Sequence, residues 1–430
     1  MKRLLVVSPR FCPVNAADMQ RVRLALPHLR ALSWEPVVLA LSPDTIESAV
    51  LDPLLEKTFP ADIRVERVRG IPPRFTRALG FGGLWLRAGR ALRKAGDALL
   101  AAEKFDLVFF STTQCEAFNL GPRWLEKFGV PFVLDYQDPW VNDYYARTGA
   151  RPPGGRLRYA LSDRRARRDE PRVLRRAAGV VSVSPAYVDD LANRYPWFDR
   201  ARAETIPFGA SAADVALART HPPARSLVPA DDGCVHLVYT GRAGADLAPA
   251  LRLLFAAVAD YRIQNPAAAA KLRLDFVGTS YAPPALTRQS VAPVAREFGV
   301  QDIVNEHPAR VPYFEALHYL SRADAVLAIG SDDPAYTPSK IIPCLLVGRP
   351  VLAILHPRSP AGAVAREAGA HVIDLAPASC AATREKLLAW LAQLPRIPAA
   401  SPVSDAALAP HLAETMTQKL AGFFERTLRP

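Results

Sequence analysis

The stretch Tyr336–Leu355, YTPSKIIPCLLVGRPVLAIL, decides how the rest of the chain is read. Thr337, Pro338 and Ser339 form a loop that can start a helix, with proline suited to the first turn. Lys340–Val347 is almost wholly apolar, which predicts a short helix buried on most sides. Gly348 ends it, because only glycine is unstrained in the left-handed conformation that a helix C-terminus often needs. Arg349-Pro350 turns the chain, and Val351–Leu355 reads as a buried strand. Upstream, Ala323–Ile329 (ADAVLAI) is another, running into Gly330-Ser331-Asp332-Asp333. Strand, polar loop, helix and strand make a βαβ unit with its loop at the carboxyl end of the strand. Ligands of open parallel sheets bind there, and a loop feeding a helix N-terminus suits a diphosphate.

The same alternation extends in both directions. Val235–Tyr239 is a strand, Thr240–Asp246 its loop and Leu247–Ile263 a helix; Leu272–Val277 is a strand ending at Gly278-Thr279. In the first half, strands are expected at Arg3–Ser8, Pro36–Leu41, Ile63–Val68, Leu107–Ser111, Phe132–Asp135 and Gly179–Ser184, with a helix at Met19–Leu32. The fold class is therefore α/β: two doubly wound parallel sheets facing across a cleft. The expected domains are residues 1–215, residues 216–405 and a terminal helix over 406–430 packing back on the first domain, with the linker within Ser211–Asp232. No GxGxxG follows the first strand and no Walker A pattern occurs, which disfavours a dinucleotide or P-loop site.

At 430 residues the chain is longer than one core usually holds. Its net charge of +12 is carried mainly by arginine, which points either to an anionic partner or to a genomic preference for arginine codons. The five cysteines are scattered without a CxxC pair, so neither a disulfide framework nor a zinc site is expected, and a reducing cytoplasm fits. No apolar run approaches the length of a membrane span, and the first apolar run is too short for a signal-peptide core. The expected location is cytoplasmic, with peripheral attachment to the inner face of the membrane. Pro72–Lys94 and the arginine run Arg164–Arg176 could lie on anionic lipid; the alternatives are a covering helix and a solvated helix face. Nucleic acid is not an expected partner.

Several segments together resemble the GT-B-fold glycosyltransferases of the family 4 type. Gly241-Arg242 after its strand is similar to the family's "GR" element; Phe276-Val277-Gly278 and the Ala323–Ile329 strand follow in order. Pro338-Ser339-Lys340 with Gly348-Arg349-Pro350-Val351 resembles the "PSK…GRPV" donor segment, and Ile206–Gly209 the "PNG" element. Asp135–Trp140 resembles a D-x-x-D-P-W loop. The resemblance implies transfer of a sugar, with retention, from a nucleotide-diphosphate donor on the second domain to a glycan or lipid-linked acceptor on the first, in envelope or exopolysaccharide assembly. It implies no metal and no cofactor, because basic side chains and a helix dipole neutralise the departing diphosphate. The pattern is degenerate: the family's two donor-site glutamates fall at Ala335 and Pro343, and the lysine expected after Gly241-Arg242 is missing. A non-catalytic GT-B binding protein and a sugar-nucleotide epimerase remain as alternatives.

The candidate donor residues are Gly241, Arg242, Gly278, Asp333, Tyr336, Ser339 and Lys340. Asp138, in an acidic and aromatic loop at the carboxyl end of a strand, is the candidate for accepting a proton from, or orienting, an acceptor hydroxyl; its alternative role is to cap a turn before Pro139. Asp18 is the second candidate and is equally well read as the N-cap of the first helix. Arg21 and Arg23 reach either acceptor phosphate or solvent, and His28 and His236 are structural.

Overall fold

Runs of β-branched, leucine and aromatic residues without polar alternation specify strands buried on both faces, and such strands form parallel sheets covered by helices. The computed structural model describes residues 1–429 except 48, 78–82, 143–154, 230, 281, 283–285, 333–339 and 399–402. Two compact units result: Met1–Gly209 with Ala413–Pro430, and Ala210–Leu412.

The first unit contains a seven-stranded parallel sheet of β1 (Lys2–Val7), β2 (Trp34–Leu41), β3 (Val65–Val68), β4 (Leu107–Ser111), β5 (Phe132–Tyr136), β6 (Gly179–Ser182) and β7 (Ala203–Thr205), in the order β3-β2-β1-β4-β5-β6-β7. The order reverses between β1 and β4, which makes their carboxyl ends the switch point where such sheets bind ligands. Right-handed crossovers put the helix Gln20–Leu29 on one face. The helix Ala413–Thr427 packs beside it. The helices Leu84–Ala102, Leu120–Phe128 and Arg156–Arg176 lie side by side on the other face. Aromatic packing fills the core: the ring of Phe110 stacks on Trp124 at 5.7 Å, and Phe132 meets it edge-on at 6.1 Å. Phe424 of the terminal helix meets both Trp34 and Phe109 edge-on. That contact fixes the terminal helix on the first unit.

The second unit repeats the plan with six parallel strands: β8 (Val235–Thr240), β9 (Leu272–Val277), β10 (Val304–His307), β11 (Ala325–Ile329), β12 (Val351–Leu355) and β13 (His371–Asp374), ordered β10-β9-β8-β11-β12-β13. Its switch point lies between β8 and β11. The helix that opens the argument runs Ile341–Leu346, and Gly348 takes the left-handed conformation at φ 65° that ends it.

Three expectations need correction. Residues 211–232 are not simply a linker: Ala212–Thr220 is a helix capped by Ser211, whose hydroxyl accepts from Asp214 N, and it packs on the helix Tyr313–Arg322. The terminal helix is not continuous over 406–430. Asp405–Leu408 is followed by a tight turn through Pro410, which cannot donate a helical N–H, and Ala413–Thr427 starts anew. Arg21 and Arg23 reach neither solvent nor a surface ligand; both are buried, because their helix is covered by Ala413–Thr427.

His236, at the start of β8, is structural as expected. Its Nδ1 lies 2.7 Å from Asp275 and its Nε2 3.2 Å from Asp232. Burial alone would lower its pKa, but the two carboxylates outweigh it and raise the imidazole above its ordinary value. A raised folded pKa gives stability that is fully present below the unfolded pKa, about 6.5, and is lost as pH rises through the folded value. The second unit is therefore expected to lose thermal stability on going from mildly acidic to mildly basic pH, and His236→Gln should flatten that slope. An unchanged slope in the variant would remove His236 as its source.

Candidate functional site

In the second unit, three loops meet at the carboxyl edge of the sheet. Gly241 N donates to Val277 O at 2.8 Å, Ala243 N to Thr279 O at 3.0 Å, and Gly278 N to His307 O at 2.8 Å. The Thr279 hydroxyl donates to Glu306 at 2.6 Å, and Glu306 also accepts from the backbone N–H groups of Ser290, Val291 and Ala292. One buried carboxylate thus fixes the loop after β9. Gly241 has φ 130°, and a Cβ built there would overlap Lys340 Nζ. Glycine is required both by the backbone and by the lysine lying over it.

Lys340 is the electrostatic centre of this edge. Burial drives its ammonium down to about 8, and Arg242 and Arg310 add repulsion. Cys344 would act the other way only as a thiolate, and burial pushes that thiol up to about 12, so near neutral pH it carries no charge. Among the described residues no carboxylate pairs with Lys340. Arg242 is held differently: its two terminal nitrogens donate to Asp246 at 2.8 and 2.6 Å, while Asp332 N donates to Asp246 O at 3.2 Å. Asp246 thereby joins the loops after β8 and β11. The helix after Lys340 is only six residues long, so its dipole is small and the three cations dominate the field.

In the first unit, the switch point carries a dense polar network. Asp18 lies in the single turn Ala17–Met19 and is not the N-cap of the first helix; that position is Met19, with no side-chain cap. The Asp18 carboxylate instead accepts from Arg10 at 2.9 Å, Thr112 at 3.0 Å and Thr113 N at 3.2 Å, tying the loop after β1 to the end of β4. Asp135, at the end of β5, accepts from Arg21 at 2.8 Å, Ser111 at 2.8 Å and Gln137 at 2.7 Å. Asp138 follows, and it makes no hydrogen bond with another described residue, so the turn-capping role is not seen. It reaches solvent, yet desolvation and then the charge of Asp18 push its carboxyl above the usual range, with Arg10 opposing.

The structure thus brings Gly241, Arg242, Gly278 and Lys340 to one edge, and Asp18 and Asp138 to the switch point of the first sheet. Asp333, Tyr336 and Ser339 lie outside the described residues. Sequence reasoning missed Arg310, which arrives on the loop after β10 with its Cα 4.0 Å from a Cβ built on Gly278. It also missed Asp246, whose spacing of four residues from Arg242 was the available signal. Arg10, Thr112 and Thr113 were legible only as residues following buried strands.

Residues 20–209 match the family described as "Glycosyl transferase 4-like domain". The matched segment is thus a glycosyl transferase 4-like domain, and it lies within the first unit. No curated protein sequence matches it. Among solved structures, the chain is similar over 99% of its length, and 100% of the other chain, to Anabaena Alr3699/HepE in complex with UDP, with TM-score 0.57 and 14% identity. It is similar over the full length of both chains to a UDP-forming trehalose-phosphate synthase from Burkholderia xenovorans, with TM-score 0.60 and 13% identity. A putative UDP-N-acetylglucosamine 2-epimerase from Listeria monocytogenes matches over 98% of this chain and 95% of that one, with TM-score 0.51 and 14% identity. At these identities the structural likeness is one of fold, and the two parallel sheets are those of GT-B proteins.

Proposed function

We propose that the protein is a glycosyltransferase that binds a nucleoside-diphosphate sugar on the second unit and transfers the sugar, with retention, to a hydroxyl of a glycan or lipid-linked acceptor on the first. The reading places it in the assembly of a cell-envelope or extracellular polysaccharide. The observation that carries it is Lys340: a desolvated ammonium beside Arg242 and Arg310, over a glycine that leaves room for it, and without a carboxylate among the described residues. Two phosphates would supply the missing charge, and the complexes of HepE with UDP and UDP-glucose support this reading. Departure of the diphosphate is the costly step, and preorganised cations favour the charge as it develops. Fixed cations of this kind suffice for that step in the proposal, which requires neither metal nor cofactor.

Asp138 is assigned to the acceptor. Its raised pKa reflects an environment that disfavours the lone carboxylate, and a hydroxyl donor would relieve that cost. Asp18, whose hydrogen bonds hold the loops around it, serves as a positioning residue. The test is Asp138→Asn. Transfer is expected to fall by roughly a hundredfold or more with nucleotide affinity unchanged, read by product formation and by calorimetry with a nucleoside diphosphate. Equal activity in the variant would end the assignment.

A second reading has its own observation. Pro343 stands on the donor helix where the resemblance implies a donor-site glutamate, and Arg242 is engaged by Asp246. A binding protein without turnover would bind the nucleotide yet form no product with any acceptor. An epimerase would change the donor sugar with no acceptor present, which NMR of the donor incubated alone would detect.

A further inference from the structure

The helix Arg156–Arg176 buries one stripe, Ala166, Asp169, Glu170, Val173 and Leu174, at the spacing of a core-facing side. Glu170 stands in the middle of that stripe with no exposed side-chain surface, where the spacing favours an apolar residue. A buried carboxylate must find donors, and this one has four. Its Oε1 accepts from the Tyr136 hydroxyl and from Val141 N, each at 3.3 Å. Its Oε2 accepts from the Tyr195 hydroxyl at 2.8 Å and from Arg194 at 3.2 Å.

The two oxygens serve different elements. Oε2 faces the end of the helix Pro185–Arg194. Oε1 faces the chain that carries Asp138: Tyr136 closes β5, Val141 follows the loop, and Asp138 lies between them. One oxygen therefore ties both ends of the loop. Val141 is buried, so its N–H needs an acceptor, and Glu170 supplies it. The rest of the loop is held by Gln137, whose amide donates to Asp18 O, Ser111 and Asp135, and by Trp140, edge-on to Phe118 at 5.6 Å. Asp138 has no hydrogen bond with another described residue, so its neighbours set its place. Stability does not explain the carboxylate. Desolvation pushes Glu170 above the usual range although its donors oppose the shift, so the charge itself works against folding.

We infer that Glu170 is a positioning residue, whose carboxylate ties Tyr136 to Val141 and so holds the loop between them with Asp138 presented to the acceptor. The presentation of Asp138 to an acceptor rests on the function proposed above; the tie across the loop is a property of the first unit alone. A displacement of about 1 Å at a reacting group can cost about a hundredfold in rate, which is the scale on which such a tie matters.

Glu170→Gln and Glu170→Ala in the full chain test it. Glutamine keeps an acceptor of the same reach for Tyr136 and Val141, and alanine keeps none. Amide hydrogen exchange at Val141 should rise roughly tenfold or more in Glu170→Ala and stay near wild type in Glu170→Gln. Transfer should follow the same order, with kcat lower by roughly ten- to a hundredfold in Glu170→Ala and largely kept in Glu170→Gln. The KM for donor should be unchanged in both, because the proposed donor site is on the second unit. Tyr195→Phe removes a donor from Oε2 alone; it should lower stability without altering exchange at Val141 or kcat, whereas a merely structural carboxylate would make all these variants follow stability. Tyr136→Phe keeps the ring and loses its bond to Oε1, so it should give faster exchange and lower kcat in smaller measure even if Glu170→Ala does not fold. On an Asp138→Asn background, Glu170→Ala should add little further loss, since both act through one group. A fully active Asp138→Asn overturns the presentation of Asp138, while the tie is still read from exchange at Val141. Unchanged exchange in Glu170→Ala, or faster exchange with wild-type transfer where Asp138→Asn is inactive, overturns the inference.

Discussion

Lys340→Ala is expected to weaken binding of nucleoside diphosphates by roughly ten- to a hundredfold, since a hydrogen bond to a charged group contributes about 1.5–3 kcal/mol. The same substitution should leave the unliganded protein as stable as before, or more so. Its ammonium is desolvated and repelled by Arg242 and Arg310, so in the absence of an anion it opposes folding in its charged form. Binding lost while stability is kept is the opposite of what a structural lysine would give. The pH dependence adds a sharper readout. With the free group pushed down to about 8, Lys340 is charged below that value and binds the diphosphate without further cost. Above it, binding must take up a proton, and affinity should fall by up to about tenfold per pH unit until the pKa of the complex is reached. Lys340→Arg should abolish that fall, because a guanidinium stays charged throughout. Calorimetry at pH values on either side of 8 decides it: an affinity that is level through this range would place the diphosphate elsewhere.

The parts of this site that were legible in the sequence were those built within one segment. Gly348 could be placed as a helix terminus and Val351–Leu355 as a strand because each depends on neighbouring residues alone. Gly241 and Lys340 were named separately, by resemblance, but the reason for the glycine is the lysine lying over it, a contact between loops nearly a hundred residues apart. Arg310 had no local signal, since it joins the cations only because β10 lies beside β9. Asp18 was misread as a helix cap for the converse reason. Its spacing fits that role, but Arg10 and the two threonines after β4 offer its carboxylate more donors than a helix end does.

The largest effect on stability is expected at the buried ion pair between Arg21 and Asp135, both with no exposed side-chain surface. Arg21 Nε donates to Asp135 at 2.8 Å, its Nη2 to Ile206 O at 2.6 Å, and its guanidinium lies over the ring of Phe208 at 5.0 Å. It therefore links the first helix, the end of β5 and the last residues before Gly209. Such a pair is not a strong net source of stability, since the cost of desolvating both charges offsets their attraction. Its loss is another matter. Arg21→Ala leaves a carboxylate in the core with only Ser111 and Gln137 as donors, and breaking a buried pair in this way costs about 3–5 kcal/mol. Replacing both residues, Arg21→Met with Asp135→Leu, should cost clearly less than either single change, because no uncompensated charge remains. Tryptophan fluorescence during urea unfolding reads this selectively, as Trp34, Trp85, Trp124, Trp140 and Trp197 all belong to the first unit and only Trp390 to the second. A midpoint for Arg21→Ala equal to that of wild type would show that water reaches Asp135 and that the pair is not buried in solution. A double variant as unstable as the single ones would instead assign the loss to the contacts with Ile206 and Phe208, which any replacement of Arg21 removes.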